Sequence, residues 1–180
     1  MGYFESTKIP VICQVIHFIK NGTIKDKTIE EFAYNLDEIT YNQFCYFNEE
    51  KVDYFGELGS FYPNMVKNPE RFIIPQPNLK ETLLALKTCK KKIFLTSNSH
   101  FSYTAWLMEV TLGPDWMDLF DLVLCNCKKP LFQRTENPFF RFDPNMPNLK
   151  GRLVDNPEEM KLSGEKVFLE GNARLLTKYL

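Results

Sequence analysis

A chain of 180 residues can build one domain with a real core. Its 44% hydrophobic and 25% charged residues are ordinary for a globular protein, and a formal net charge of -1 gives no reason to expect nucleic acid or an anionic membrane as partner. No apolar run approaches the roughly 20 residues that a membrane helix needs, and the opening MGYFESTKIP lacks the basic and apolar regions of a signal peptide.

The first element in chain order is IPVICQVIHFIKNG, residues 9–22, apolar on nearly every side, with Pro10 where a first turn tolerates it. It predicts a buried helix ending near Asn21-Gly22, with His17 as a core or boundary histidine rather than a ligand. Thr28 and Glu31 match a capping box that opens a second helix along Ile29, Phe32, Ala33 and Leu36. The aromatic run at residues 40–64 predicts helix in pieces, broken at Gly56, Gly59 and Pro63, with its rings serving the core.

From Pro77 the pattern sharpens. Asn78 is placed to cap a helix whose stripe is Leu79, Leu83 and Leu86, and the basic KTCKKK follows as a solvated face at its C-terminus. Strand IFLTS comes next, then a helix with Phe101, Ala105, Met108 and Leu112 on one face, stopped by Gly113-Pro114, then strand DLVLCN. This alternation with short connections indicates a parallel α/β sheet. Residues 137–164, rich in Pro, Asn and Gly, read as an excursion from the sheet with one strand candidate at Phe139 to Phe142. KVFLEGNARLLTKYL then predicts a strand, a Gly-Asn cap and a helix with Leu176, Tyr179 and Leu180 inward. The expected organisation is a helical region over residues 1–76 and an α/β region over residues 77–180.

Five cysteines, an odd number set mostly in apolar patterns, read as reduced thiols of a cytoplasmic protein. Cys125 and Cys127 have period-two spacing, which on a strand points both to one face. A metal site there would need further ligands, and His17 and His100 are the only histidines, so the two are expected to be small core residues and no metal ligand is assigned.

In parallel α/β sheets the carboxyl ends of strands line the ligand crevice. Ser97 and Lys129 both lie at such ends and are expected close together. A hydroxyl and the N–H groups of Ser97-Asn98-Ser99 can donate to phosphoryl oxygens, and a nearby ammonium offsets phosphoryl charge. Ser97, Asn98 and Lys129 are therefore candidate phosphate-binding residues. Strands end on Ser and Lys in α/β proteins at large, so this pattern alone leaves a structural role equally open.

The wording of the stretch is more specific. Ser97-Asn98-Ser99, Tyr103-Thr104, Phe120-Asp121 and Lys129-Pro130-Leu131-Phe132 resemble the second and third motifs of the haloacid dehalogenase-like 5′-nucleotidases. The likeness is greatest to the cytosolic purine 5′-nucleotidase and 5′-nucleotidase domain-containing group, toward its type 1 branch. EGNARLLTKYL is similar to that family's Gly-Asn helix before the last catalytic strand, and the region from Ile9 to Asn78 to the segment preceding the second motif. The resemblance implies an incomplete haloacid dehalogenase-like parallel sheet with a helical cap-like N-terminal region. It implies Ser97 and Lys129 in catalytic roles, and magnesium-dependent hydrolysis of nucleoside 5′-monophosphates in the complete enzyme.

The family's nucleophile sits in Asp-x-Asp-x-Thr and its further magnesium ligands follow a Gly-Asp pair; these 180 residues contain neither Asp-x-Asp nor Gly-Asp. The expectation is a truncated, inactive chain that binds no magnesium and binds phosphate or a nucleoside monophosphate weakly, if at all. The missing nucleophile strand would lie beside IFLTS, which implies an unpaired edge there. The alternative is a non-catalytic binding or regulatory partner associating with a full-length relative.

Overall fold

A computed structural model describes residues 8–25, 28–34, 46–47, 52–53, 61–146 and 149–180. The chain divides into two compact units, Met1–Phe72 and Ile73–Leu180. In the first, α1 (Lys8–Lys20) forms as expected, and the Gly22 N–H donates to the Ile19 carbonyl just past its end. It is not buried. None of its described side chains is in a core, and Ile9 and Phe18 are exposed. A helix apolar all round carries no sign of which face will be covered. His17 is likewise exposed, its ring beside Phe18. The capping box holds: the Thr28 N–H donates to Glu31 Oε2 at 2.8 Å and the Glu31 N–H to Thr28 Oγ1 at 3.2 Å, opening α2 (Ile29–Tyr34). Leu36 lies outside the described residues.

Where helix was expected, β1 (Tyr46–Phe47) and β2 (Val52–Asp53) pair antiparallel. Aromatic and β-branched residues suit a pleated strand as well as a helix core, so composition did not decide between them. Gly56 and Gly59 lie outside the described residues. Pro63 does not break a helix but sits inside α3 (Phe61–Lys67), where a first-turn residue needs no N–H partner.

The second unit is α/β, as expected, but its five-stranded sheet is mixed rather than parallel. Strand order is β3-β4-β7-β5-β6, with β3 (Phe94–Thr96), β4 (Leu122–Cys125), β5 (Phe139–Phe142), β6 (Lys150–Val154) and β7 (Val167–Glu170). β3, β4 and β7 run parallel; β5 runs antiparallel to both β7 and β6. Residues 137–164 are thus no excursion: β5 and β6 extend the sheet. The β5–β6 pairing shifts register between Phe140 and Phe142, beside Gly151, where a Cβ would come within 3.1 Å of Asp143 Cβ and 3.2 Å of the Arg141 carbonyl. A glycine permits that close approach.

Both faces of the sheet are covered. Val123, Cys125, Val167 and Leu169 face Leu112, Trp116, Leu119 and Phe120. Phe101, Ala105 and Met108 of α5 (Phe101–Leu112) pack against that cluster, so its predicted stripe is observed. Leu122, Leu124 and Phe168 face the other way with Phe139, Val154, Met160 and Leu176. Continuous burial of β4 explains why it reads as an unbroken apolar run.

In α4 (Leu79–Thr88) only Leu83 of the expected stripe packs against the core; Leu79 and Leu86 are exposed. Asn78 takes the N-cap position, but its side chain makes no capping bond. Helix α6 (Pro157–Ser163) was not expected; Asn156 Oδ1 caps it by accepting from the Glu158 N–H at 2.9 Å. In α7 (Ala173–Tyr179), Leu176 is buried and Tyr179 packs against the core, while Leu180 is 54% exposed rather than inward.

Asp121 ties the starts of β3 and β4 together. Its Oδ2 accepts from the Ile93 N–H at 2.9 Å, its Oδ1 from Lys92 Nζ at 3.0 Å, and its own N–H donates to the Ile93 carbonyl at 2.7 Å. Burial pushes the carboxyl pKa up, but the Ile93 N–H and the Lys92 ammonium outweigh it and hold it below the ordinary value. Asp121→Ala is expected to cost about 1.5–3 kcal/mol at neutral pH, the range for a hydrogen bond to a charged group. A depressed carboxyl stabilises above its unfolded value, about 3.9, and loses that contribution as pH falls through the folded value. The gap between wild-type and variant denaturation midpoints should therefore close below about pH 4. A gap constant down to pH 2 would refute the assignment.

Candidate functional site

β3 and β4 end side by side, and the turns that follow are locked together. The Ser97 N–H donates to the Leu124 carbonyl at 2.8 Å, and the Ser97 carbonyl accepts from the Cys127 N–H at 2.9 Å. Ser97 Oγ accepts from the Ser99 N–H at 3.0 Å, which curls the Ser97-Asn98-Ser99 segment toward the start of α5. The Asn98 amide clamps Lys129 from both sides: Oδ1 accepts from the Lys129 N–H at 2.7 Å, and Nδ2 donates to the Lys129 carbonyl at 3.1 Å. Lys129 Nζ in turn donates to the Thr96 carbonyl at 3.0 Å. Ser97, Asn98 and Lys129 thus meet at one end of the β3–β4 pair, and neither Ser97 nor Lys129 is on a helix.

In a parallel ladder alternate residues bond to a given neighbour. Ser97 bonds toward β4, so the backbone groups of Thr96 point to the other edge of β3. Among the described residues no strand pairs with that edge, and Phe94 on β3 is 41% exposed. Lys129 therefore places its ammonium over an outward-facing carbonyl. One of its three donors is used there.

Lys129 gets its position from an irregular turn. Asn126 and Lys128 take left-handed φ angles of 55° and 54°, and the Lys129-Pro130 bond is cis. The break at Asn126 corrects one expectation. Cys125 and Cys127 do not share a face: Cys125 packs with Val123 on one side of the sheet, and Cys127 with Leu122 and Leu124 on the other. A left-handed residue between them ends the two-residue alternation. Both are core residues, and burial pushes each thiol up to about 11, so neither is a reactive thiolate at neutral pH.

The resembling pair Tyr103-Thr104 lies on α5. Thr104 is buried, its hydroxyl bonded to the His100 carbonyl at 3.0 Å and set beside the Cys125 thiol, while the Tyr103 ring packs against Trp106. Burial lowers the pKa of His100 and raises that of Tyr103.

Sequence reasoning missed Glu170, the last residue of β7. It is only 7% exposed, has a left-handed φ of 61°, and its Oε1 lies 2.8 Å from Lys128 Nζ and 2.5 Å from Lys150 Nζ. Burial pushes its carboxyl up, but the two ammoniums prevail and hold it below the ordinary value. An acidic residue closing an apolar strand was the available signal. Among the described residues no group of three His, Cys, Asp or Glu side chains could hold a metal ion. The carboxylate beside the Lys129 turn is already neutralised by two lysines, so these residues do not fit magnesium.

The sequence model of the 5′ nucleotidase family matches residues 1–180. The chain belongs to this family. It is 29% identical over 133 residues to human 5′-nucleotidase domain-containing protein 1, covering 73% of this chain and 28% of that protein. The bovine protein of the same name is 35% identical over 84 residues, 46% of this chain and 19% of its own. Human 5′-nucleotidase domain-containing protein 2 is 30% identical over 115 residues, 63% of this chain and 21% of its own. The chain spans less than a third of the length of these relatives. Among the described residues no helix is long and apolar enough to cross a membrane.

Proposed function

We propose that these 180 residues form the phosphate-holding part of a haloacid dehalogenase-like, magnesium-dependent 5′-nucleotidase acting on nucleoside 5′-monophosphates in the cytoplasm, and that alone they turn nothing over. The observation that carries this reading is the reciprocal Asn98–Lys129 clamp, which sets an ammonium at the ends of two parallel strands in a 5′-nucleotidase family chain. Phosphoryl transfer is governed by positioning and charge neutralisation. The Lys129 ammonium supplies neutralising charge, and the Ser97 hydroxyl keeps its proton to donate to a phosphoryl oxygen. Neither group replaces a carboxylate nucleophile, and the sequence has no Asp-x-Asp to supply one.

Titration of the 180-residue chain with orthophosphate and with a nucleoside monophosphate should show weak binding that Lys129→Ala weakens at least about tenfold, as for a lost charge-assisted contact. Phosphate release with magnesium present should stay at background. Magnesium-dependent release that copurifies with the chain and is lost in Lys129→Ala would overturn the inactivity. No phosphate binding at millimolar concentration would overturn the site.

One observation favours a second reading, association with a full-length relative. The open edge of β3, with Phe94 exposed, is a surface to which another strand can pair. A stable complex on mixing the two, weakened by Phe94→Lys, would support it; two separately migrating species would exclude it.

A further inference from the structure

The turn that carries Lys129 is held at two points, and only one lies beside β3. On that side Asn98 grips the Lys129 backbone. On the β7 side Lys128 reaches the buried Glu170 carboxylate at 2.8 Å. Lys128 precedes Lys129 directly and has a left-handed φ of 54°, a conformation that non-glycine residues hold only when their surroundings impose it. Glu170 is itself left-handed at 61°, and this conformation ends β7 and turns the chain at its last residue.

We propose that Glu170 is a positioning residue for Lys129: by holding the Lys128 ammonium it fixes the left-handed turn after β4, and so the direction in which Lys129 leaves the sheet. The role in ligand binding rests on the phosphate reading above; the tether itself does not. Two ammoniums face Glu170, Lys128 from the turn after β4 and Lys150 from β6, and Lys150 also lies over the Phe140 ring at 4.9 Å. Glu170 is the carboxyl group of this cluster, and carboxyls are the groups that titrate in the acid range. Its depressed carboxyl keeps the tether intact above the ordinary glutamate value, about 4.3, and releases it as pH falls through the lower folded value.

The test is amide hydrogen exchange of the 180-residue chain by NMR, read at the Lys129 N–H that Asn98 accepts. Protection at Phe168 serves as the fold control, and each sample is also titrated with orthophosphate. Glu170→Gln keeps the side-chain shape and removes the charge; it should lower Lys129 protection roughly tenfold at pH 7 while Phe168 is unchanged. Lys128→Ala should do the same and carries the test if Glu170→Gln fails to fold. The double variant should be no worse than either single, because both remove one interaction. Lys150→Ala, which leaves the Lys128 contact, should cost less. Wild-type protection should fall as pH drops below about 4.3, with Glu170→Gln flat across that range. Phosphate affinity should decline in step with protection. Unchanged Lys129 protection in both single variants, or additive losses in the double, would overturn the positioning role. A wild-type chain that binds no phosphate but shows the coupled loss of protection would sink the phosphate reading and leave the tether standing.

Discussion

Replacing Gly171 by alanine is expected to cost about 3 kcal/mol of stability or more. Overpacking a filled core costs about 1–3 kcal/mol, and a left-handed conformation adds about 1–2 for an L side chain. Both apply here. Gly171 has φ 84°, and an added Cβ would overlap Cε1, Cδ1 and Cζ of the Phe139 ring. That ring cannot withdraw: Phe139 is fully buried and packs edge-on against Phe132 and Phe168 at centroid distances of 6.4 and 6.3 Å. The net stability of a domain is only about 5–15 kcal/mol, so the loss would be plain in a denaturant midpoint with unchanged slope. Phe139→Leu in the Gly171→Ala background should recover part of the loss by removing ring atoms from the clash. A Gly171→Ala chain within about 1 kcal/mol of wild type would show that the β7–α7 turn opens freely.

Asn172→Ala should cost about 2–4 kcal/mol, which is large for a polar residue. Asn172 is 1% exposed and serves two elements. Its Oδ1 caps α7 by accepting from the Leu175 N–H at 2.9 Å, and its Nδ2 donates to the Asn137 carbonyl just before β5 at 2.6 Å. Losing a cap costs about 1 kcal/mol, and leaving the part-buried Asn137 carbonyl without this donor up to about 1–3 more. Asn172→Ser keeps the capping oxygen alone and should lose about half as much by the same reckoning. Equal midpoints for the serine and alanine variants would show that the Asn137 contact carries the whole effect. A wild-type midpoint for alanine would show that neither Asn172 contact adds to stability.

The lesson of these two residues runs through the whole α/β unit. The β3–α5–β4 alternation was legible because each element carries its own local signal: a short apolar run, a stripe at helical spacing, a Gly-Pro stop. The capping box at Thr28 and the Gly-Asn cap at 171–172 were legible for the same reason, since their partners lie within three residues. Ser97, Asn98 and Lys129 could be singled out because strand ends in parallel sheets are where ligands bind, and the structure brings all three together. Their meeting is geometry; their role in binding is what the phosphate titration tests.

Contacts across the sheet decided the rest. Nothing local tells the four residues of β5 to slot between β7 and β6, because that register comes from partners about thirty residues and about a dozen residues away. Cys127 left the face of Cys125 because the turn was bent at Asn126, against the two-residue period. Leu79 and Leu86 stayed exposed although their spacing fits a buried stripe, since a stripe records which face could be covered and not what covers it. Glu170 was invisible as a site residue for the same reason. Its meaning lies in two lysines, 42 and 20 positions away in the chain, that only the folded sheet brings within 3 Å of one buried oxygen. Local propensity and period set the elements of this protein; burial and long-range pairing set which of their side chains act together.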